Sequence, residues 1–179
     1  MQTQKNSGTL SRTEKIGYGL GDTASNLYFQ FFNIFLFYYY TDVFGLSAGA
    51  VGTMYLLANF WDAVNDPMMG AIADRVETKR GKYRPFLLWF AIPYGAFGYA
   101  IFANPDLAEL GKLIYAYLTF IGFKMIYTAI NVPYSALMGV ITPNAVERMA
   151  LSTYRFVGAF SGGFVVSLLV RPLVKMFGG

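Results

Sequence analysis

Two carboxylates lie one helical turn apart inside an apolar part of the sequence. Asp62 and Asp66 belong to segment 59–67, and their spacing of four places them on one face of a helix. Two carboxylates so close in a low-dielectric setting repel each other unless a cation or a proton neutralises them. Hard oxygen ligands on one turn therefore indicate a site for an alkali cation or a proton, and a static ion pair with another helix is the alternative.

A lysine lies in a second apolar stretch. Lys124 is followed by Thr128 and Asn131 at spacings of four and three. A buried ammonium group requires a counter-charge. Counted inward at about 1.5 Å per residue, Asp62 lies about 21 Å and Lys124 about 18 Å from the outer helix ends, so the two can meet. A functional and a structural role for Lys124 are both open.

A third polar group lies near the N-terminus. Asp22, Asn26, Gln30 and Asn33 follow each other at spacings of four, four and three, so they share one helix face. An ionisable group in a membrane span is costly and is by default a functional hypothesis. The face is expected to point into a helix bundle or a water-filled cavity, and hydrogen bonding between helices is the alternative.

The elements that must position these residues are long apolar stretches. The chain is 55% hydrophobic and only 13% charged, whereas soluble domains carry about 25% charged residues. Each stretch approaches or exceeds the roughly 20 residues that a helix needs to cross a bilayer. The sequence therefore predicts an all-α polytopic membrane protein with about five transmembrane helices, at 18–41, 47–70, 85–104, 111–140 and 151–174.

The basic residues lie in alternate connections. The segment between the second and third stretches holds Arg75, Lys79, Arg80, Lys82 and Arg84, whereas the connection 41–47 holds neither Lys nor Arg. The positive-inside rule then predicts a cytoplasmic N-terminal segment, residues 1–17. The connection between the third and fourth stretches holds one basic residue, Lys112, and Arg171 and Lys175 near the end of the chain fall on the other side.

The absence of Cys and His narrows the possible functions. It excludes disulfides, thiol nucleophiles and His-based proton relays, and we expect neither a metal site nor a cofactor. The net charge of +4 lies in short connections between apolar stretches, so it indicates membrane topology and not nucleic-acid binding. An enzyme is not expected, since the mid-membrane polar groups include no nucleophile–base pair.

Four segments together resemble the glycoside–pentoside–hexuronide:cation symporters, of which the melibiose permease is the familiar member. They are 38–46, 61–70, 80–85 and 131–137. Segment 70–75, with the basic residues after it, is similar to the helix 2–3 gating motif of the major facilitator superfamily. Its matching residues are Asp74, Arg75, Arg80, Lys82 and Arg84.

The resemblance runs from about Lys15 to the end of the sequence. It implies a fold of twelve helices in two halves, of which this chain is the incomplete N-terminal half. It implies symport of a sugar or glycoside with Na⁺, Li⁺ or H⁺ across the bacterial cytoplasmic membrane. The expected partners are the sugar, membrane lipid and the remaining C-terminal helices. A truncated, non-transporting membrane fragment is the alternative.

The resemblance also assigns site residues. In melibiose-type members the cation is held at positions that match Asp62, Asn65, Asp66 and Thr128. The sugar is held at positions that match Asn26, Asn131 and Arg155, and Asp22 and Gln30 share the helix face of Asn26.

The chain departs from the melibiose-type pattern at several of these positions. Asn26 and Asn131 replace aspartates, and Ser135 replaces a tryptophan, which argues against a melibiose-like galactoside. Lys124 replaces a small residue. Lys124 favours H⁺ over Na⁺ coupling, because its tethered ammonium group neutralises part of the negative charge that would otherwise attract a free cation.

Overall fold

The computed structural model describes residues 9–79 and 81–177, and most of these residues are helical. No strand forms among the described residues, which contain only an isolated bridge between Thr78 and Gly81. A short π-helical turn, Tyr39–Val43, continues the first helix. The prediction of an all-α chain with about five helices is confirmed. The helices are α1 (Arg12–Tyr38), α2 (Ala48–Arg75), α3 (Arg84–Phe102), α4 (Glu109–Ile141) and α5 (Ala145–Phe177).

Helix α1 begins at Arg12, ahead of the apolar stretch that starts at 18. Ser11 and Glu14 cap each other: the Glu14 amide donates to Ser11 Oγ at 3.2 Å, and the Ser11 amide donates to Glu14 Oε2 at 2.9 Å. This capping box satisfies two amide groups that a helix start otherwise leaves unpaired. The polar first turn therefore belongs to the helix, although hydrophobicity alone does not mark it.

Side-chain caps and prolines shape the other helices. Ser47 Oγ accepts from the Ala50 amide at 3.2 Å at the start of α2, and Asn144 Oδ1 accepts from the Val146 amide at 2.9 Å at the start of α5. Three prolines lie inside helices α2, α3 and α4: Pro67, Pro93 and Pro133. Each proline lacks an N–H group, so one backbone hydrogen bond is missing from each of these helices.

The chain divides into two compact units. Unit 1 comprises Met1–Leu36 with Met138–Gly179, and it therefore contains most of α1 and all of α5. Unit 2 comprises Phe37–Leu137 and contains α2, α3 and nearly all of α4.

Close helix packing in unit 1 depends on glycine. A Cβ atom at Gly158 of α5 would lie 2.6 Å from the carbonyl oxygen of Gly19 and 2.6 Å from Thr23 Oγ1, both on α1. A Cβ atom at Gly162 would lie 3.0 Å from the Thr23 carbonyl oxygen. Gly158 and Gly162 thus let the two backbones approach, as small residues four apart do in membrane helix pairs.

Aromatic side chains hold unit 2 together. The rings of Tyr94 and Phe123 stack with centroids 4.9 Å apart, which joins α3 to α4. Tyr55 and Phe120 make a similar contact, also at 4.9 Å, between α2 and α4. Near the turn of the α2–α3 connection, Tyr83 and Phe86 are buried. These contacts hold α3 against α4 and α4 against α2, and α2 and α4 carry the carboxylates and Lys124.

Three of the helices in the described part of the chain have the length and composition of membrane spans: Arg84–Phe102, Glu109–Ile141 and Ala145–Val170. Helices α1 and α2 are 27 and 28 residues long, which is long enough to cross a bilayer. Their polar residues lower the mean hydropathy of both helices, and these are largely the residues singled out above as site candidates. Helices α4 and α5 also carry site candidates, but their longer apolar stretches keep the mean hydropathy in the range of membrane spans.

Candidate functional site

The two carboxylates of α2 have different partners. Lys124 Nζ lies 2.5 Å from Asp62 Oδ2 and 3.5 Å from Asn59 Oδ1, so the ammonium group bridges α4 to α2. One turn along α2, Asp66 Oδ1 accepts a hydrogen bond from Thr128 Oγ1 at 2.9 Å. Asp62 and Lys124 thus form the contact that depth counting allowed, and the Thr128 hydroxyl lies against the other carboxylate.

Two side-chain atoms of α2 near the Asp62–Lys124 ion pair have no hydrogen-bond partner among the described residues. They are Asp62 Oδ1 and Asn65 Nδ2, and both atoms are buried. A buried acceptor without a partner is costly. Asp62 Oδ1 can accept a proton or coordinate a cation without breaking a bond to the protein.

An open cavity of about 360 Å³ lies beside these groups. It is lined by both carboxylates, Thr128 and Asn131, together with Tyr127, Val132 and Ser135. The cavity places Asn131 within the same lining as the carboxylates, although Asn131 was assigned to sugar binding and Asp62 and Asp66 to the cation. Asp62, Asp66, Thr128 and Asn131 thus all line the same open cavity in unit 2.

The charges of the cluster formed by Asp62, Asp66 and Lys124 do not cancel. Asp62, Asp66 and Lys124 together carry one net negative charge when all three are ionised. Thr128 contributes a hydrogen bond but no charge. One proton or one monovalent cation neutralises the remainder. No cluster of three or more acidic, Cys or His residues able to hold a metal ion occurs among the described residues.

In unit 1, Arg155 of α5 is paired with Asp22 of α1. Arg155 Nε donates to Asp22 Oδ2 at 2.6 Å, and Nη2 donates to Oδ1 at 3.3 Å. The Arg155 guanidinium carbon also lies 5.9 Å from the centroid of the Tyr18 ring. Asp22 is only 6% exposed. A two-point contact of this kind fixes the plane of the guanidinium as well as its position.

The remaining α1 candidates lie along the same helix as Asp22. Asn26 Nδ2 donates to the backbone carbonyl oxygen of Asp22 at 3.0 Å, so its amide folds back on its own helix. Gln30 packs beside Gly163 of α5, where an added Cβ would lie 3.4 Å from Gln30 Cγ. Unit 1 thus brings Asp22, Asn26, Gln30 and Arg155 onto the facing sides of α1 and α5, whereas Asn131 belongs to unit 2.

The connection after α2 forms a small polar cluster around Asp74. Tyr83 Oη donates to Asp74 Oδ1 at 2.6 Å, and Lys82 Nζ lies 3.6 Å from the same oxygen. The hydrogen bond from Tyr83, helped by the Lys82 charge, lowers the pKa of Asp74 below its usual range. The same bond raises the pKa of the Tyr83 hydroxyl, because the phenol is needed as the donor.

Other members of the expected gating motif are less constrained. Arg75 and Arg84 are exposed at the adjoining ends of α2 and α3. Arg80 lies outside the described residues. The turn between the helices is closed by Thr78, whose carbonyl oxygen accepts from the Gly81 amide at 3.0 Å. Gly81 has φ of 105°, a conformation that favours glycine.

An ion pair near the start of α1 was not anticipated from the sequence. Glu147 of α5 is buried; its Oε2 lies 2.9 Å from Lys15 Nζ and accepts from the Leu10 amide at 3.0 Å. The hydrogen bond from Lys15, followed by that from Leu10, lowers the pKa of Glu147. The sequence signal is weak, because one acid and one base 132 positions apart carry no spacing pattern.

Long helices that carry buried charged pairs are typical of polytopic membrane proteins, and sequence comparison identifies the family. Residues 17–179 match the family described as MFS/sugar transport protein. The chain belongs to this family and is an integral membrane protein. The family assignment made from the four motifs is confirmed.

Several bacterial relatives are similar over nearly the whole chain. The inner membrane symporter YicJ of Escherichia coli K12 is 45% identical over 97% of this chain. YagG of the same strain, a candidate glycoside/cation symporter, is 48% identical over 94%. The isoprimeverose transporter of Lactiplantibacillus pentosus is 41% identical over 93%. The chain spans 38%, 37% and 35% of the length of these three relatives.

Proposed function

We propose that this chain is the N-terminal part of a secondary active transporter that carries a sugar or glycoside together with a cation. The observation that carries the proposal is the α2–α4 cluster, in which Asp62 is paired with Lys124 and Asp66 with Thr128. Ionisable groups within membrane helices are costly and are retained where they bind or couple ions. The names of the relatives, which include symporters and a sugar transporter, support the same function.

The proposed coupling ion is H⁺ rather than Na⁺. Lys124 supplies a fixed positive charge to Asp62, and this charge competes with a metal cation for the same carboxylate. Protonation of Asp66, or of Asp62 when Lys124 moves away, neutralises the remaining negative charge without a metal ligand shell. Asn65 and Thr128 then act as hydrogen-bonding groups around the two carboxylates.

Sugar binding is assigned to Asn26, Asn131 and Arg155, with Asp22 and Gln30 on the same helix as Asn26. Amide and guanidinium groups offer donors to sugar hydroxyls, and an amide oxygen offers an acceptor. The two amides in place of carboxylates favour a substrate other than a melibiose-like galactoside.

The proposed orientation follows the basic residues. The N-terminus and the α2–α3 connection lie in the cytoplasm, and the protein resides in the bacterial cytoplasmic membrane. In this orientation Asp74, Arg75, Arg80, Lys82 and Arg84 form a cytoplasmic gating motif. The Tyr83–Asp74 hydrogen bond and the Lys82–Asp74 ion pair connect the end of α2 to the segment just before α3. This connection supports a role for the segment in gating.

The test is sugar uptake by the full-length gene product in proteoliposomes, with an imposed proton gradient or Na⁺ gradient. Uptake driven by the proton gradient, and abolished when that gradient is dissipated, is the expected result. Uptake that responds to Na⁺ at constant pH, and is indifferent to the proton gradient, would contradict proton coupling. Absence of gradient-driven uptake for every sugar in a panel of glycosides and pentosides would contradict the transport function itself.

A further inference from the structure

An open groove of about 270 Å³ lies in unit 2, where the α2–α3 connection meets the start of α3. It is lined by two polar residues of the connection and three apolar residues of α3: Thr78, Lys79, Pro85, Leu88 and Trp89. The Thr78 hydroxyl already donates a hydrogen bond, to the Gly81 carbonyl oxygen at 2.9 Å. Lys79 therefore supplies the charge of the groove, and α3 supplies an apolar wall.

The connection beside the groove carries an excess of positive charge. Five basic and two acidic residues lie between positions 74 and 84, which gives this segment a net charge of +3. One ion pair, between Lys82 and Asp74, uses a basic and an acidic group. Three basic side chains of the described residues are exposed and form no ion pair: Arg75, Lys79 and Arg84. Glu77, the other acidic residue, offsets only part of this charge, so a matching ligand carries negative charge.

The apolar wall of the groove continues along α3, which has the length and composition of a membrane span. Leu88 and Trp89 are 61% and 55% exposed, and Ile92, one turn beyond Leu88, is 81% exposed. Trp89 lies five residues beyond Arg84, which is about 7.5 Å along the helix axis. Tryptophan close to basic residues at a helix end is typical of the membrane–water interface. A matching ligand therefore has a charged end at Lys79 and an apolar end along α3.

We propose that this groove binds an acidic phospholipid of the phosphatidylglycerol type. Lys79 donates to the lipid phosphate, and an acyl chain lies along Leu88, Trp89 and Ile92. Basic residues beside a membrane helix attract acidic headgroups, and a lipid without net charge, such as phosphatidylcholine, lacks this attraction. The inference requires only that α3 spans a membrane. It depends neither on the proposed sugar nor on the proposed coupling ion.

The connections at the other ends of these helices offer no comparable attraction. Segments 41–47 and 103–108 contain Asp42 and Asp106 and neither Lys nor Arg. Lys112, at the start of α4, lies with its Nζ 3.5 Å from the Phe44 carbonyl oxygen and 5.5 Å from the centroid of the Phe44 ring. The charge that matches an acidic lipid is thus concentrated at the α2–α3 connection, and Lys112 provides a control for it.

The test measures binding of a fluorescent phosphatidylglycerol to the purified full-length gene product in detergent micelles. Unlabelled dioleoyl-phosphatidylglycerol should displace this probe about tenfold more effectively than dioleoyl-phosphatidylcholine, and added salt should narrow the difference. Equal displacement by the two lipids would overturn the proposal. Glycerol 3-phosphate has the phosphate but no acyl chain. If it displaced the probe as effectively as phosphatidylglycerol, the site would be one for a soluble phosphate and the lipid proposal would be wrong.

Two variants locate the site. Lys79→Gln should weaken phosphatidylglycerol binding about fivefold, and Lys79→Arg should retain it. Trp89→Ser should weaken binding without changing the charge, because it removes part of the apolar wall. Lys112→Gln is the matched control and should bind as the wild type does. An equal loss in Lys112→Gln would show a general effect of positive charge and contradict the groove. Wild-type affinity in both Lys79→Gln and Trp89→Ser would do so too, and either result would leave the transport function standing.

Discussion

Lys124 and Asp62 form an ion pair between α4 and α2, with Nζ 2.5 Å from Oδ2. Asp66, one turn further along α2, is bound by Thr128 and not by the lysine. The two carboxylates therefore share a helix but not a partner. One of them has a fixed positive charge beside it, and the other keeps only a neutral donor.

Replacing Lys124 with glycine should create or strengthen Na⁺ dependence of transport. The substitution removes the tethered ammonium group and leaves Asp62 and Asp66 as an unpaired acidic site that a free cation can neutralise. The measurement is sugar uptake by proteoliposomes with and without Na⁺ at constant pH. Lys112→Gly is the matched control on the same helix, because Lys112 lies at Phe44 and away from both carboxylates.

A Lys124→Gly protein that transports sugar with the wild-type response to Na⁺ and pH would contradict the role given to the lysine. An equal gain of Na⁺ dependence in Lys112→Gly would do so as well, since it would show a general effect of positive charge.

Loss of the assigned sugar contacts should weaken binding. Arg155→Ala and Asn131→Ala are each expected to cost about 1–3 kcal/mol of sugar-binding free energy, with the larger effect for the charged residue. Calorimetric titration of the full-length protein with the most tightly bound member of a panel of glycosides gives this quantity directly. Unchanged affinity in both variants would remove sugar binding from these residues. Ser167→Ala on α5 serves as a control, because its hydroxyl donates to the Gly163 carbonyl of its own helix.

The glycines of α5 should differ in their tolerance of a methyl group. Gly158→Ala places Cβ 2.6 Å from the Gly19 carbonyl oxygen, whereas Gly163→Ala meets its nearest atom at 3.4 Å. We expect the first substitution to destabilise the protein by about 1–3 kcal/mol relative to the second. Both gain the same helix propensity, so the difference isolates the clash. Thermal unfolding in detergent is the measurement, and equal midpoints would argue against close α1–α5 contact.

The Lys15–Glu147 pair should make stability depend on pH in acid. Its hydrogen bonds lower the pKa of Glu147 from the ordinary value of 4.5. The contribution is therefore fully present above about pH 4.5, and it is lost as the pH falls through the lowered pKa. Glu147→Gln should unfold at a lower temperature than the wild type at pH 7, and the gap should close in acid. Glu77→Gln, at an exposed position, is the control. A gap that stays constant down to acid pH would contradict ionisation as its source.

The orientation can be tested by fused reporters. Lys79 and Lys82 are expected on the cytoplasmic side and Asp106 on the opposite side, because the basic residues concentrate in the α2–α3 connection. Alkaline phosphatase is active only outside the cytoplasm, so a fusion after Asp106 should be active and a fusion after Lys79 inactive. The reverse result would invert the topology.

Much of the architecture could be predicted because membrane spans leave a strong signal in the sequence. The five apolar stretches correspond to the five helices, and the spacing of Asp62 and Asp66 placed them on one turn of α2. Depth counting at a fixed rise per residue indicated that Lys124 could reach Asp62, and the structure contains that pair. Such estimates are possible because a helix rises by a fixed distance per residue and because the thickness of the bilayer limits the depth at which a residue can lie.

Other contacts could not be predicted because they depend on how helices rotate and tilt against each other. Asp22 and Arg155 were both assigned to sugar binding, and nothing in their sequence positions shows that they bind each other. The start of α1 was set too late because hydrophobicity does not report capping. The pattern Ser11 to Glu14 carries that information, since serine followed by glutamate three residues later is a capping-box signature.

The low hydropathy of α1 and α2 has a consequence for biosynthesis. An aspartate at the centre of a helix costs about 2.5–3.5 kcal/mol on insertion scales, and α1 carries Asp22 while α2 carries Asp62 and Asp66. The compensating groups, Arg155 and Lys124, lie on α5 and α4 and leave the ribosome later. The first two helices therefore enter the bilayer before their charges are neutralised, and their integration is completed only when the later helices arrive. The effect of substitutions at Lys124 or Arg155 should therefore be measured on membrane integration as well as on transport.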